Sequence, residues 1–184
     1  MLKLTAKMPF ADFLPLSIGT ITLSDETPEF MTLIDCPHGS EANVSDVLKK
    51  AHGMALSAPN RTTGRAKNRC IWFGKNHLLL GFEPDEALAN IARLSDVSDG
   101  YAVLHAQGKD IETVLARLVP IDLALSKFKR GNTARTLVQQ MHAAVTRVSD
   151  SAFQIIIVRS MAQTLLHNLT RAMVSVDARA SLLK

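Results

Sequence analysis

Cysteine is scarce in this chain of 184 residues: Cys36 and Cys70 are the only two. They are too few and too far apart for a disulfide framework or a four-cysteine zinc site. A reducing, cytoplasmic setting is the expectation that follows. Long apolar runs are missing as well. The longest candidates, Leu78 to Phe82 and Ile155 to Val158, are strand-sized, far short of the ~20 residues a membrane helix needs. The leading segment MLKLTAKMPFADFL is interrupted by Asp12 and lacks the apolar core of a signal peptide. Aromatic residues make up only 5%, with one Trp and one Tyr, so stacking platforms for single-stranded nucleic acid are few. There is no GxxxxGK[ST], GxGxxG, HExxH, GxSxG or CxxC. The usual sequence signs of phosphate cradling, metal ligation and an exposed nucleophile are therefore absent.

Acidic residues are absent from two long stretches. Val47 to Phe82 holds none, while Lys49, Lys50, Arg61, Arg65, Lys67, Arg69 and Lys75 are basic. Leu123 to Ser149 also holds none, with Lys127, Lys129, Arg130, Arg135 and Arg147. The formal net charge of +4 thus conceals an asymmetry. Residues 1–46 carry two lysines against seven acids, and the other 138 residues carry nineteen bases against ten acids. A basic body behind an acidic segment suits intramolecular docking, an acidic protein partner or nucleic acid. The missing aromatic platforms disfavour the last.

What is present is a composition of 47% apolar and 21% charged residues, ordinary for a folded domain. Residues 1–28, with Pro9, Pro15, Gly19 and Pro28, read as an irregular leading arm. Residues 29–174 read as one compact unit, with a possible subdomain break near 95–100, and 175–184 as a tail. Glu29 to Asp35 reads as a strand ended by the turn Cys36-Pro37-His38-Gly39. Val44, Val47, Leu48 and Ala51 recur at helical spacing behind Asn43 or Ser45 as caps, with Gly53 as the stop. Arg69–Phe73 and His77–Phe82 flank Gly74-Lys75-Asn76, a hairpin pattern. Helices are expected over Asp85–Leu94 and Asp110–Val119, and a strand over Tyr101–Ala106. Thr133 to Val148 fits neither period. Phe153–Val158 is the clearest buried strand, and Ser160 is expected to cap a helix striped by Met161, Leu165, Leu166, Leu169 and Met173. The fold class is α+β, with mixed or antiparallel sheets carrying packed helices.

The residues that could carry chemistry all have plainer readings. Cys36-Pro37-His38 offers two adjacent ligands without a second pair, which is a turn with an incidental thiol. The six histidines are scattered singly. Asp96 and Asp99 in Ser-Asp-Val-Ser-Asp-Gly pair two carboxylates, yet that string is ordinary turn chemistry. No catalytic residue and no metal site is assigned.

Several segments, read in order, resemble the gamma subunit of heterotetrameric sarcosine oxidase. The similarity begins at Ala58-Pro59-Asn60-Arg61 and continues through Ile71-Trp72-Phe73-Gly74 with Leu78-Leu79-Leu80. It resumes at Asp96-Val97-Ser98-Asp99, where that family has a DVSD string, and at Pro120-Ile121-Asp122-Leu123, near its CPLDL. Phe128, Gly131 and Ala134-Arg135-Thr136 follow its F…G…ART, and Val158-Arg159-Ser160-Met161-Ala162 opens the last helix as its VRSFADYLW does. About residues 55–172 are covered. Lys75-Asn76-His77-Leu78 replaces the family's PDEWL, Val119 its cysteine, and Thr164-Leu165-Leu166 its helix aromatics.

The resemblance implies the fold of the folate-binding aminomethyltransferase group and a non-catalytic subunit in an enzyme that oxidatively demethylates sarcosine to glycine. It implies alpha, beta and delta-type partners, and FAD, FMN, NAD, tetrahydrofolate and zinc on those other subunits, with none on this chain. Asn60, Arg61, Asp99, Arg135 and Arg159 become candidates for structural or interface roles. Asp99 and Arg135 are expected in partly buried ion pairs or subunit contacts. Asp99 also falls where folate-binding relatives use a carboxylate, and is a candidate for a folate contact on that ground alone. The alternative implied by the same fold is a stand-alone folate-binding protein of one-carbon metabolism.

Overall fold

The computed structural model describes residues 7–83 and 86–182. Two antiparallel sheets stack face to face, and helices cover the outer face of each. The first sheet has the order β1(Leu16–Ile18), β2(Ile21–Asp25), β8(Tyr101–Gly108), β11(Ala152–Val158), β10(Met141–Ser149), β9(Thr133–Val138). The second has the order β4(Thr62–Arg65), β5(Asn68–Phe73), β6(Asn76–Leu80), β3(Met31–Asp35), β7(Arg93–Asp96). Of the helices, α1 is Glu41–His52, α2 is Glu86–Ala89, α3 is Ile111–Leu115 and α4 is Ala162–Leu182.

Strand alternation builds the layers, because successive side chains point to opposite faces. In β11, Phe153, Ile155 and Ile157 join the core beneath α3 and α4, while Ile156 points to the other sheet. In β8, Ala102, Leu104 and Ala106 face the helices and Val103 faces inward. In β6, Leu78 and Leu80 meet Val103, Ala144 and Ile156 between the sheets, and Leu79 packs outward with Val44 and Leu48 of α1. Both faces of the central strands are buried, which is why Ile155-Ile156-Ile157 runs unbroken rather than alternating with polar residues.

The second sheet is spliced into the first. All five of its strands lie between β2 and β8, which are themselves hydrogen-bonded neighbours. The splice closes tightly. The Val97 amide donates to the Met31 carbonyl at 2.8 Å, and the Met31 amide donates to Ser98 Oγ at 2.9 Å.

Several expectations are corrected. Residues 16–25 of the expected irregular arm form the β1–β2 hairpin, with Ile21 and Leu23 in the main core beside Phe10. The prolines lie outside its two strands, and β1 is an edge strand of three residues. Most of the expected tail is helix, since α4 runs to Leu182. Thr133–Val148 is the β9–β10 hairpin, turning at Gln139 with φ 55°. The helix expected over Asp85–Leu94 ends at Ala89, and Arg93–Asp96 is a strand paired with β3. Ser160 is not a cap. It sits inside a 3₁₀ turn, Arg159–Met161, with no side-chain capping bond, and Met161 is exposed. Helix α1 follows Ser40 rather than Asn43 or Ser45, and Gly53 at φ 67° ends it as expected. Residues 1–6 of the arm, Pro84 and Asp85 ahead of α2, and residues 183–184 lie outside the described residues.

Candidate functional site

Asn60 and Arg61 stitch the two sheets together. The Thr133 amide donates to the Asn60 carbonyl at 3.0 Å, and the Thr62 amide to the Gly131 carbonyl at 3.0 Å. Arg61 bridges Asn132 through the backbone, and its guanidinium donates to the Asn132 side-chain oxygen. Asn60 takes a left-handed conformation, φ 58°, which asparagine tolerates better than most residues.

Arg135 performs a similar task from β9. Its guanidinium carbon lies 3.7 Å from the centre of the Phe73 ring in the other sheet, and Phe73 meets Tyr101 edge-on at 5.5 Å. Burial pulls the Arg135 pKa below its ordinary value, with Tyr101 opposing the shift. Of the two roles expected of Arg135, a partly buried ion pair or a subunit contact, the first is not what its guanidinium makes within the chain: it lies against an aromatic face. None of the four ion pairs among the described residues includes it.

Asp99 and Arg159 meet elsewhere, at the 3₁₀ turn that leads into α4. Their charges are 3.9 Å apart, and Asp99 is fully exposed. The Arg159 amide donates to the Gly100 carbonyl at 2.9 Å, and its guanidinium donates to the Lys7 carbonyl. The DVSD string is an Asx turn. The Asp96 carboxylate accepts from the Ser98 amide at 2.9 Å and from its hydroxyl at 2.6 Å, and both bonds hold the Asp96 carboxyl below its usual pKa. The five candidate residues therefore form two groups, a sheet junction (Asn60, Arg61, Arg135) and a helix corner (Asp99, Arg159).

A third group was not singled out from the sequence. Ser57 Oγ lies 2.9 Å from His77 Nδ1 and 3.7 Å from Cys70 Sγ, all three buried. A cavity of about 460 Å³ opens beside them, walled by Pro59, Trp72 and Ala58 and edged by Glu41 and Lys75. Burial pushes His77 down and Cys70 up in pKa, so both stay neutral. Burial also lifts Cys36 to about 11. Neither thiol is a thiolate near neutral pH, so neither is an activated nucleophile. Residues 57, 70 and 77 show no recognisable motif, because a loop and two adjacent strands bring them together.

The two acid-free stretches also meet. Arg65 and Arg69, on the β4–β5 hairpin, share a cavity with Arg130 of the loop before β9. Among the described residues no three His, Cys, Asp or Glu side chains converge as metal ligands, and no helix is long and apolar enough to cross a membrane.

No family model matches the sequence, and no curated protein sequence matches it. Solved structures do. A chain of the heterotetrameric sarcosine oxidase from Corynebacterium sp. U-96, solved in complex with pyrrole 2-carboxylate, superposes with a TM-score of 0.79 at 19% identity. The match covers 94% of this chain and 96% of that one. The aspartate kinase of Clostridium acetobutylicum (TM-score 0.41, 11% identity, 89% of this chain and 37% of that one) and the regulatory subunit of the Thermus thermophilus enzyme (0.40, 12%, 84% and 97%) are too distant to support an inference. The fold of this chain, α+β with two antiparallel sheets between helices, is that of a heterotetrameric sarcosine oxidase subunit.

Proposed function

We propose that this chain is a gamma-type subunit of a sarcosine oxidase complex, assembling or stabilising the subunits that carry out oxidative demethylation of sarcosine to glycine. The observation that carries the reading is the end-to-end match to one chain of that enzyme, 94% of this chain against 96% of the other. A shared substructure inside a larger enzyme would leave much of one partner uncovered. The order of motifs from Ala58 to Ala162 is independent support.

On this reading FAD, FMN, NAD, tetrahydrofolate and zinc reside on alpha, beta and delta-type partners, and this chain contributes surface rather than chemistry. Surface of the right kind gathers about the first turn of α4. Met8, Phe13, Val158 and Met161 are each close to half exposed, and Phe13 and Leu16 border a groove with Leu166 and His167 of the helix. Larger partner subunits would cover this apolar face.

Co-expression with the alpha, beta and delta-type subunits of the same genome tests the proposal. The chain should co-purify in fixed stoichiometry, and omitting it should lower the yield or thermal stability of the flavin-bearing subunits. An oxidase that assembles fully and works equally well without this chain refutes the reading.

A further inference from the structure

The two acid-free stretches of sequence converge in space. Arg65 and Arg69 come from the first stretch and Arg130 from the second. They border one concavity of about 330 Å³, floored by Thr62, Gly64 and Gly131. Residues 62 and 131 are fixed to each other by the amide-to-carbonyl bond that joins the sheets, so the arginines belong to a rigid junction rather than to two free loops.

Their charges are poorly balanced. None of the four ion pairs among the described residues involves Arg65, Arg69 or Arg130. Glu26 is the acid whose field reaches Arg69, while Arg130 opposes it. The Glu26 carboxylate is itself engaged by the buried Gln154 amide, which donates to it at 3.2 Å. Arg69 is partly buried and held through Nε, which donates to the Ala66 carbonyl at 2.8 Å, leaving its two terminal nitrogens for a ligand. Three guanidinium groups line the cavity and no carboxylate does, so its wall carries an excess of positive charge that Glu26, outside the lining, offsets only in part. Bringing like charges together is unfavourable, and an oxyanion that accepts paired N–H bonds from guanidinium groups reverses that cost.

We propose that this arginine cavity is a binding site for a compact, multiply charged oxyanion, a phosphate or polycarboxylate group of a small molecule. Its chemistry does not depend on the oxidase assembly. The arginines close on one concavity rather than lining a track, and no aromatic side chain borders it, so it lacks the stacking surface that single-stranded nucleic acid requires.

Titration of the full chain with pyrophosphate and with citrate, each against potassium chloride at equal ionic strength, tests the site. Either anion should bind saturably, with chloride inert, and the two arms separate phosphate from carboxylate chemistry. Arg130→Gln and Arg65→Gln should each weaken binding about tenfold or more. Arg130→Lys should recover only part of it, because lysine keeps the charge and loses the fork. Arg117→Gln, at the remote α3–α4 contact, should change nothing. Melting curves without ligand establish that each variant is folded. Binding no stronger than the salt control, binding indifferent to Arg65 and Arg130, or preference for a short single-stranded oligonucleotide over both anions would overturn the proposal.

Discussion

The guanidinium of Arg147 is fully buried and commits both terminal nitrogens, while its Nε is left without a partner. It donates to Glu112 Oε2 at 2.7 Å, to the Asp150 carbonyl at 2.6 Å and to the Leu123 carbonyl, and it lies 4.3 Å over the Phe153 ring. One side chain thus joins β10, α3 and the loop before β9. Replacing it leaves the buried Leu123 carbonyl without a donor and unpairs the Asp150 carbonyl, whereas Glu112, whose side chain is 41% exposed, turns to water. The loss is that of hydrogen bonds from a charged donor together with its packing. Arg147→Met should cost about 2–3 kcal/mol in urea unfolding, and a loss under about 1 kcal/mol would contradict this assignment. His77 makes a prediction about pH. The unfolded imidazole takes up its proton near the ordinary value of 6.5, and the buried one only at lower pH. Between those values the unfolded state holds more protons, so stability must fall as pH drops below about 6.5 and level off beneath the folded value. The drop in melting temperature between about pH 7.5 and about pH 5.5 should shrink in His77→Gln. An unchanged drop would locate the pH sensitivity elsewhere. From sequence, Arg147 was only one base in an acid-free run and His77 one of six scattered histidines, because neither role is encoded by near neighbours. The five arginine, asparagine and aspartate candidates were found through ordered motifs, but their grouping into a junction and a corner needed the fold.

At the scale of elements, legibility followed the number of faces buried. The α4 stripe was readable because one face is wet, and Leu165, Leu166, Leu169 and Met173 fall beneath it as expected. Strand β11 was readable from its β-branched run. The β9–β10 hairpin was not, because Ala143, Ala144, Val145 and Thr146 are buried on both faces of a central strand, which erases the two-residue period. The β1–β2 hairpin was missed because its buried pattern consists of only Ile21 and Leu23. Its contribution is nonetheless substantial. Leu23→Ala should cost about 2–5 kcal/mol, and a chain begun after residue 26 should fail to fold, because β8 would lose one of its two partner strands along five registered pairs and the core would lose Phe10, Ile21 and Leu23. A soluble, cooperatively melting truncation would restore the dispensable-arm reading. Gly108 is a tighter constraint. At φ +143°, a Cβ there would meet the Thr20 carbonyl oxygen at 2.0 Å, so Gly108→Ala should destabilise by more than an ordinary strand substitution, read as a lowered urea midpoint.

For the whole molecule, the question is whether two stacked sheets behave as one unit. The layer between them joins Met31, Ile71, Leu78 and Leu80 from one sheet to Val103, Ala144 and Ile156 from the other. Asn60, Arg61 and Arg135 cross the same boundary with polar and cation–aromatic contacts. One cooperative transition is expected. The single tryptophan, Trp72, lies in the second sheet, and the longest helix, α4, packs on the first. Fluorescence and far-ultraviolet dichroism therefore report opposite sides, and their denaturation curves should superimpose. Two separated midpoints would show that each sheet carries its own stability.

The spliced topology has a consequence for how the chain finds this structure. Strands β2 and β8 are paired, yet about 75 residues separate Asp25 from Tyr101. Closing so long a loop from a disordered chain carries an entropic cost that grows with the logarithm of its length. The second sheet divides that closure into smaller steps. Strands β4, β5 and β6 pair as successive local hairpins, β3 then joins β6 and β7 across a longer span, and the ends of the sheet finish side by side at Met31 and Val97. Once formed, it delivers β2 and β8 to each other across a gap of a few residues. The order of events this favours is insert first and frame second, with the interrupted sheet completed around a subunit already folded inside it.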